Sequence, residues 1–126
     1  MIIGIGTDLC DIGRVQRALE RHGERFARKI LVDSELVRFR LHRKPAAYLA
    51  KRFAAKEAFS KAMGSGIHFP VNWQNVSVEN RRSGRPVLRF SEPLAILLRN
   101  RGVTATHLSL TDEVGMACAF VVVEGG

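Results

Sequence analysis

Glu57 and Lys61 stand four residues apart, and Gly64-Ser65-Gly66 follows closely. On a helix that spacing places a carboxylate and an ammonium on one face, a turn apart. By itself the pattern describes an ordinary surface ion pair worth about a few tenths of a kcal/mol. Two neighbouring features open another use. The same stretch carries Ala47, Ala50, Ala54 and Ala58, small side chains that let another backbone or a ligand approach closely. A lysine one turn before a glycine-rich segment also suits a phosphate, gripped by the ammonium and by exposed backbone N–H groups. A further carboxylate, Asp8, follows the short apolar run Ile2 to Gly6, where it could cap a turn or hold a metal ion.

A second group of residues suggests a partner rather than a reaction. Arg14, Arg17, Arg21, Arg25 and Arg28 fall together on a helical wheel, nearly opposite Ile12, Val15, Leu19, Phe26 and Ile30. Solvated faces usually mix signs, and this one is all arginine, whose planar fork suits carboxylates and phosphates. His107 shares a strand face with Ser109 and Thr111, which fits either an exposed face or one turned to a ligand or partner. His22, His42 and His68 have no metal-ligand spacing among themselves. Cys10 and Cys118 form no CxxC pair and read as small thiols in strands. Gly4-Ile5-Gly6 opens like a dinucleotide loop, but Leu9 stands where the third glycine is required. No GxxxxGK[ST], HExxH or GxSxG occurs.

The elements that must position these residues alternate early helices with late strands. Residues 2–6 read as a buried strand. Asp11 can cap a helix from Ile12, with a break at Gly23. Asp33-Ser34-Glu35-Leu36 resembles another helix start. Pro45 suits the first turn of a helix that stops near Met63 at the following glycines, with Tyr48, Leu49, Phe53, Phe59 and Met63 facing the core. Beyond it, Val76 and Val78 alternate with polar residues, Arg81 to Gly84 turns, and Val87 to Phe90 returns. A short helix over 91–100 ends at Gly102, and two strands follow, His107 to Thr111 and Met116 to Val123. The class is α+β with a mainly antiparallel sheet packed with helices.

Composition bounds the rest. The 126 residues suit a single domain over 1–126, and 46% hydrophobic content supports a real core. The apolar run Met116 to Val123 is too short to cross a bilayer, and the N-terminus has no leader pattern, so a cytoplasmic protein is expected. The net charge is +8 and is unevenly placed: residues 1–63 hold 14 basic and 7 acidic groups, residues 64–126 hold 6 and 5. A field of that kind concentrates anionic partners such as nucleic acid, an acidic protein, an anionic surface or a phosphate-rich small molecule. The scarcity of aromatics argues mildly against single-stranded nucleic acid.

The residues now show a resemblance. Gly4-Ile5-Gly6-Thr7-Asp8-Leu9, with Ile12 and Arg14-Val15 beyond, resembles the N-terminal motif of holo-acyl-carrier-protein synthases. Arg52-Phe53-Ala54-Ala55-Lys56-Glu57-Ala58-Phe59-Ser60-Lys61-Ala62, followed by Gly64-Ser65-Gly66-Ile67, is similar to the family's second and most specific motif. His107-Leu108-Ser109-Leu110 is similar to its third block. Thr111 and Asp112 depart from the Ser-His pair of some members, and Arg43 to Tyr48 is shorter than in some relatives.

The resemblance implies the 4′-phosphopantetheinyl transferase fold. It also implies transfer of the 4′-phosphopantetheine arm of coenzyme A to a serine of an apo acyl carrier protein, releasing adenosine 3′,5′-bisphosphate, in fatty acid biosynthesis. Asp8 and Glu57 are implied as the Mg²⁺ carboxylates and Lys61 as a phosphate grip, with Gly64 and Ser65 in close backbone contact with CoA. Glu57, or a water it orients, is the implied base for the serine. Arg52 and His107 would face the nucleotide of CoA, with His107 reaching a neighbouring subunit of a homotrimer. Arg14, Arg25 and Arg21 would dock the acidic carrier. Nucleic acid and membrane are not expected partners. Two other readings compete: a basic nucleic-acid-binding module, which leaves the second motif unexplained, and a trimer without activity, which leaves Asp8, Glu57 and Lys61 unexplained.

Overall fold

A computed structural model describes residues 1–126. The chain order is β1 (Ile2–Asp11), α1 (Ile12–His22), α2 (Glu24–Ile30), α3 (Asp33–Leu41), α4 (Pro45–Ala62), β2 (Val76–Asn80), β3 (Pro86–Phe90), α5 (Glu92–Asn100), β4 (Val103–Glu113) and β5 (Met116–Gly125). β1, β5 and β4 form an antiparallel sheet in that order, and β2 and β3 form a separate antiparallel hairpin. The α+β expectation holds. So do the break at Gly23 (φ 63°), the Pro45 start and the glycine-rich stop after α4. Asp11 accepts the Arg14 N–H at 3.3 Å and caps α1 as the sequence suggested.

Two strands are longer than the sequence indicated. β1 does not stop at Gly6 but runs on through Asp8, and β4 begins at Val103. Polar Thr7 and Asp8 interrupt the apolar run, yet continuous pairing with β5 keeps the backbone extended. Asp8 is therefore no turn cap. It lies inside β1, opposite Ala119.

α4 is the centre of the molecule, with 13 of its 18 residues buried. It has no single core stripe. Leu49 and Phe59 are fully buried, and so are Ala50, Ala54 and Ala58 on the side of small residues. Each fully buried leucine or phenylalanine contributes about 1.5–3 kcal/mol. The alanines meet β1, whose glycines make the contact possible. A Cβ on Gly4 would stand 1.9 Å from the Ala62 carbonyl oxygen, and one on Gly6 would stand 2.0 Å from that of Ala58. The Gly4-Ile5-Gly6 pattern thus serves close backbone packing. Residues alternate across a strand, so Asp8 shares the face of Gly4 and Gly6 and is brought against α4.

The opposite face of the sheet has no covering element within the chain. Ile5, Leu9 and Phe120 are 59%, 66% and 42% exposed there. The register places His107 opposite Val122 and Ser109 opposite Phe120 on that same open face.

Candidate active site

Three of the sequence-predicted residues converge where β1 crosses the C-terminal half of α4. Lys61 donates to the Asp8 carboxylate at 3.1 Å and to the Thr7 carbonyl at 3.0 Å. Asp8 is mostly covered, whereas the Lys61 side chain is 54% exposed. Glu57, one turn before Lys61, is half-buried. Burial raises its pKa above the ordinary glutamate value, and the nearby Asp8 charge raises it further; Trp73 and Lys61 oppose both. Two carboxylates repelling each other beside one mobile ammonium form an incompletely neutralised anionic site.

The donor set decides what cation fits. No cluster of three or more His, Cys, Asp or Glu side chains occurs, so the protein offers no enclosed metal cage. Two carboxylate oxygens on rigid elements suit Mg²⁺, which keeps waters and completes its shell with substrate phosphates. They suit zinc poorly, since its sites take three or four protein ligands that usually include histidine or cysteine. Asp8 and Glu57 would hold such an ion.

The glycine-rich segment differs from expectation in one respect. The Gly64 N–H donates to the Lys61 carbonyl at 3.0 Å and the Ser65 N–H to that of Ser60 at 3.3 Å. These donors close the end of α4 and are not free for a phosphate, because the last helical carbonyls claim them. The bare Cα of Gly64, at φ 73°, is exposed beside Lys61.

Arg52 and His107 lie elsewhere in the chain. Nine residues before Lys61, Arg52 is roughly 13 Å back along α4. It is buried, its guanidinium sits 4.2 Å from the Tyr48 ring centroid, and it donates to Asn80 Oδ1 at 2.8 Å. Its Nε has no partner. It forms part of a cleft of about 410 Å³ with Arg38, His42, Tyr48, Lys51 and Asn80. His107 contacts Glu124 on the open face of the sheet. Within one chain, then, the structure does not bring Arg52 or His107 to the Asp8–Glu57–Lys61 group. Asp112, one of the departures from the family pattern, pairs with Lys51 of α4 at 3.1 Å.

The arginines are divided by the break at Gly23. Arg14, Arg17 and Arg21 rim a shallow hollow with His22, and Arg25 rims a second with His22 and Lys29. All are exposed; Arg28 turns to Glu24 at 3.4 Å. Beside them an apolar groove of about 520 Å³ runs between α1, α2 and α4, lined by Cys10, Val15, Phe26, Ile30, Phe53 and Trp73. Burial and the charges of Asp8 and Asp11 push the Cys10 thiol up to about 11, so it stays protonated and inert.

The sequence reading missed a buried ionic hub. Lys56 is 1% exposed and donates to Glu35 Oε1 at 2.7 Å, to the Ile30 carbonyl at 2.6 Å and to the Trp73 carbonyl at 2.9 Å. Glu35 also accepts the N–H groups of Val32 and Val78 at 3.0 and 2.8 Å. All three ammonium donors are used, as a buried charge requires. The available signal was a lysine set among Ala54, Ala55, Ala58 and Phe59, in a helix with no polar face broad enough to hold it in water.

The chain matches known proteins along nearly its whole length. The chain belongs to the 4′-phosphopantetheinyl transferase superfamily, whose family model matches residues 4–119. Within that superfamily it sits among the holo-acyl-carrier-protein synthases. It is 52% identical to the holo-[acyl-carrier-protein] synthase of Nitrosomonas europaea, covering 98% of this chain and 99% of the relative. The crystal structure of the Neisseria meningitidis holo-[acyl-carrier-protein] synthase superposes with a TM-score of 0.95 at 42% identity, covering 98% of this chain and 99% of that one. A Bacillus anthracis holo-(acyl-carrier-protein) synthase, solved in complex with CoA (3′,5′-ADP), superposes with a TM-score of 0.84 at 32% identity, covering 100% and 99%.

Proposed function

We propose that this enzyme transfers the 4′-phosphopantetheine group of coenzyme A to a serine of an apo acyl carrier protein and releases adenosine 3′,5′-bisphosphate. The observation that carries this reading is the meeting of Asp8, Glu57 and Lys61 at the β1–α4 crossing, in a chain of this family. In the transfer, the serine oxygen bonds to the phosphorus that bears the pantetheine arm. The pyrophosphate P–O bond breaks, and the nucleotide leaves with the electron pair. Mg²⁺, held by Asp8 and Glu57, would supply charge neutralisation on the phosphates. Lys61 is exposed enough to leave Asp8 and follow a phosphate, adding positive charge where negative charge builds up. Glu57, or a water it orients, takes the serine proton; a carboxylate bound to Mg²⁺ is itself a weak base, which favours the water.

The remaining site residues follow the same reading. The Arg52 cleft suits a nucleotide phosphate and an aromatic base, with Arg38, His42 and Lys51 supplying charge and Tyr48 a stacking face. His107 reaches the site of a neighbouring subunit if the open sheet face, with Ile5, Leu9 and Phe120, is the contact of a homotrimer. Gly64 and Ser65 approach CoA through the bare Cα and the hydroxyl. Arg14, Arg21 and Arg25 steer and orient an acidic carrier protein. We place this activity in the cytoplasm and in fatty acid biosynthesis; no helix is long and apolar enough to cross a membrane.

Intact-mass spectrometry of an apo acyl carrier protein incubated with the enzyme, CoA and Mg²⁺ tests the reading. The carrier gains one phosphopantetheine, and a chelator abolishes the gain. An unchanged carrier mass across several apo carriers, with CoA and Mg²⁺ present, would overturn it.

A further inference from the structure

We propose that Asn80 is a positioning residue for the nucleotide of CoA: its neutral amide fixes the buried Arg52 guanidinium and leaves the charge free for a phosphate. This rests on the reading that the Arg52 cleft takes that nucleotide. α4 carries four cations, Lys51, Arg52, Lys56 and Lys61. Three of them meet a carboxylate: Lys51 pairs with Asp112, Lys56 with Glu35 and Lys61 with Asp8. Arg52 is 5% exposed and pairs with none. A buried charge without a counter-charge is costly, and an anion entering the cleft would relieve that cost.

What holds Arg52 instead is neutral. Its Nη2 donates to Asn80 Oδ1 at 2.8 Å, and the guanidinium lies 4.2 Å from the Tyr48 ring centroid. Asn80 Nδ2 donates in turn to the Gly84 carbonyl at 2.9 Å. Only the amide oxygen can accept from a guanidinium and only the amide nitrogen can donate to a carbonyl, so the two bonds fix the amide's orientation. Gly84 is itself anchored: its N–H donates to the Arg81 carbonyl at 2.8 Å, and the Arg81 N–H to that of Arg85 at 2.9 Å. An aromatic face and the tip of the β2–β3 hairpin therefore hold the guanidinium with no loss of charge. A carboxylate in place of Asn80 would hold it as well, but would cancel the field that a phosphate needs. Arg38 and Lys51 share the cleft, yet Arg38 is solvated and Lys51 is paired with Asp112. Binding to a group already ordered costs less conformational entropy than binding to a free surface chain, so Arg52 is the fixed point of the cleft.

The test is calorimetric titration of the full-length protein with 3′,5′-ADP, beside CoA kinetics and thermal melting. Asn80→Ala frees the guanidinium. Its 3′,5′-ADP affinity should fall about tenfold, the scale of one lost hydrogen bond to a charged group. The KM for CoA should rise with it, while kcat at saturating CoA stays the same. Asn80→Asp keeps the acceptor and adds a counter-charge. It should melt no lower than Asn80→Ala, yet bind 3′,5′-ADP at least as weakly, so stability and affinity part company. Wild-type affinity in either variant overturns the proposal. So does a joint fall of affinity, kcat and melting temperature, which would make Asn80 a support of the fold alone. Arg52→Met in parallel separates the two levels, since it removes an unmatched buried charge and keeps an apolar side chain in its place. If Arg52→Met loses 3′,5′-ADP and the Asn80 variants do not, only the role of Asn80 falls. If Arg52→Met binds 3′,5′-ADP as wild type does, the nucleotide reading of the cleft falls and this inference with it.

Discussion

Two lysines on α4, five residues apart, each meet a carboxylate, and they do opposite work. Lys56 and Glu35 are 1% and 2% exposed, and the ammonium has three acceptors. Lys61 and Asp8 are 54% and 15% exposed, and the pair is one contact among the exchangeable ones at the site. Desolvation pulls the Lys56 pKa down, and Glu35 works against it. A charge that has lost its water cannot leave its partners without a large penalty, so the inner pair joins α3, α4, β2 and the Trp73 segment into one rigid frame. A charge still in water moves at little cost, so the outer pair can give way to a substrate phosphate. Identical side chains on one helix thus divide between holding the site and working in it, and burial alone makes the division.

Removing either outer carboxylate has the largest expected effect. Asp8→Ala or Glu57→Ala should abolish magnesium-dependent transfer while the circular dichroism spectrum and melting temperature stay near wild type; normal turnover in both would refute the metal assignment. Lys61→Ala belongs beside them and sharpens the contrast, since turnover should collapse with little change in stability. The inner pair should behave in the reverse way. Lys56→Met leaves Glu35 buried with an unmatched charge and should cost about 3–5 kcal/mol in denaturant unfolding. If Lys56→Met is as stable as wild type, the two pairs do not differ as described.

The seam that brings the outer pair together is next. Gly6→Ala puts a methyl 2.0 Å from a backbone oxygen, and neither strand nor helix can yield easily. Overpacking of this kind costs about 1–3 kcal/mol, and it should also reduce turnover by separating Asp8 from Glu57. Smaller still is the effect of the arginine face. Arg14→Glu with Arg25→Glu should raise the KM for carrier protein more than that for CoA, and added salt should weaken carrier binding to wild type. Equal effects on both substrates would mean that this face is not the docking surface.

The smallest effect is a slope with pH. The Glu57 pKa is higher folded than unfolded, so the native state binds more protons across that window. Stability without metal should therefore fall as pH rises from the ordinary glutamate range through the raised value. Glu57→Gln should remove that slope, as read by melting temperature against pH in metal-free buffer.

Much of this architecture was legible in the residue order. Pro45 and Gly64 bracket α4, Gly23 divides α1 from α2, and Arg81 to Gly84 turns between β2 and β3, because caps and turns depend on residues within a few positions. The resemblance to the family motifs also pointed to Asp8, Glu57 and Lys61, which do meet. The full length of β1 was not legible, since its extension depends on pairing with β5 more than a hundred residues later. Nor was the use of the Gly64 and Ser65 N–H groups, which the end of α4 consumes.

The sequence by itself determined the elements, the family motifs and the chemical groups available. Only the tertiary structure decided that Gly4 and Gly6 bring β1 onto α4 and that Lys56 is sealed while Lys61 stays wet. Patterning reports the chemistry of a side chain and its local period. Solvation and distance depend on which remote segments pack against it, and those two quantities turn a lysine or a glutamate into either a fixed strut or a working group.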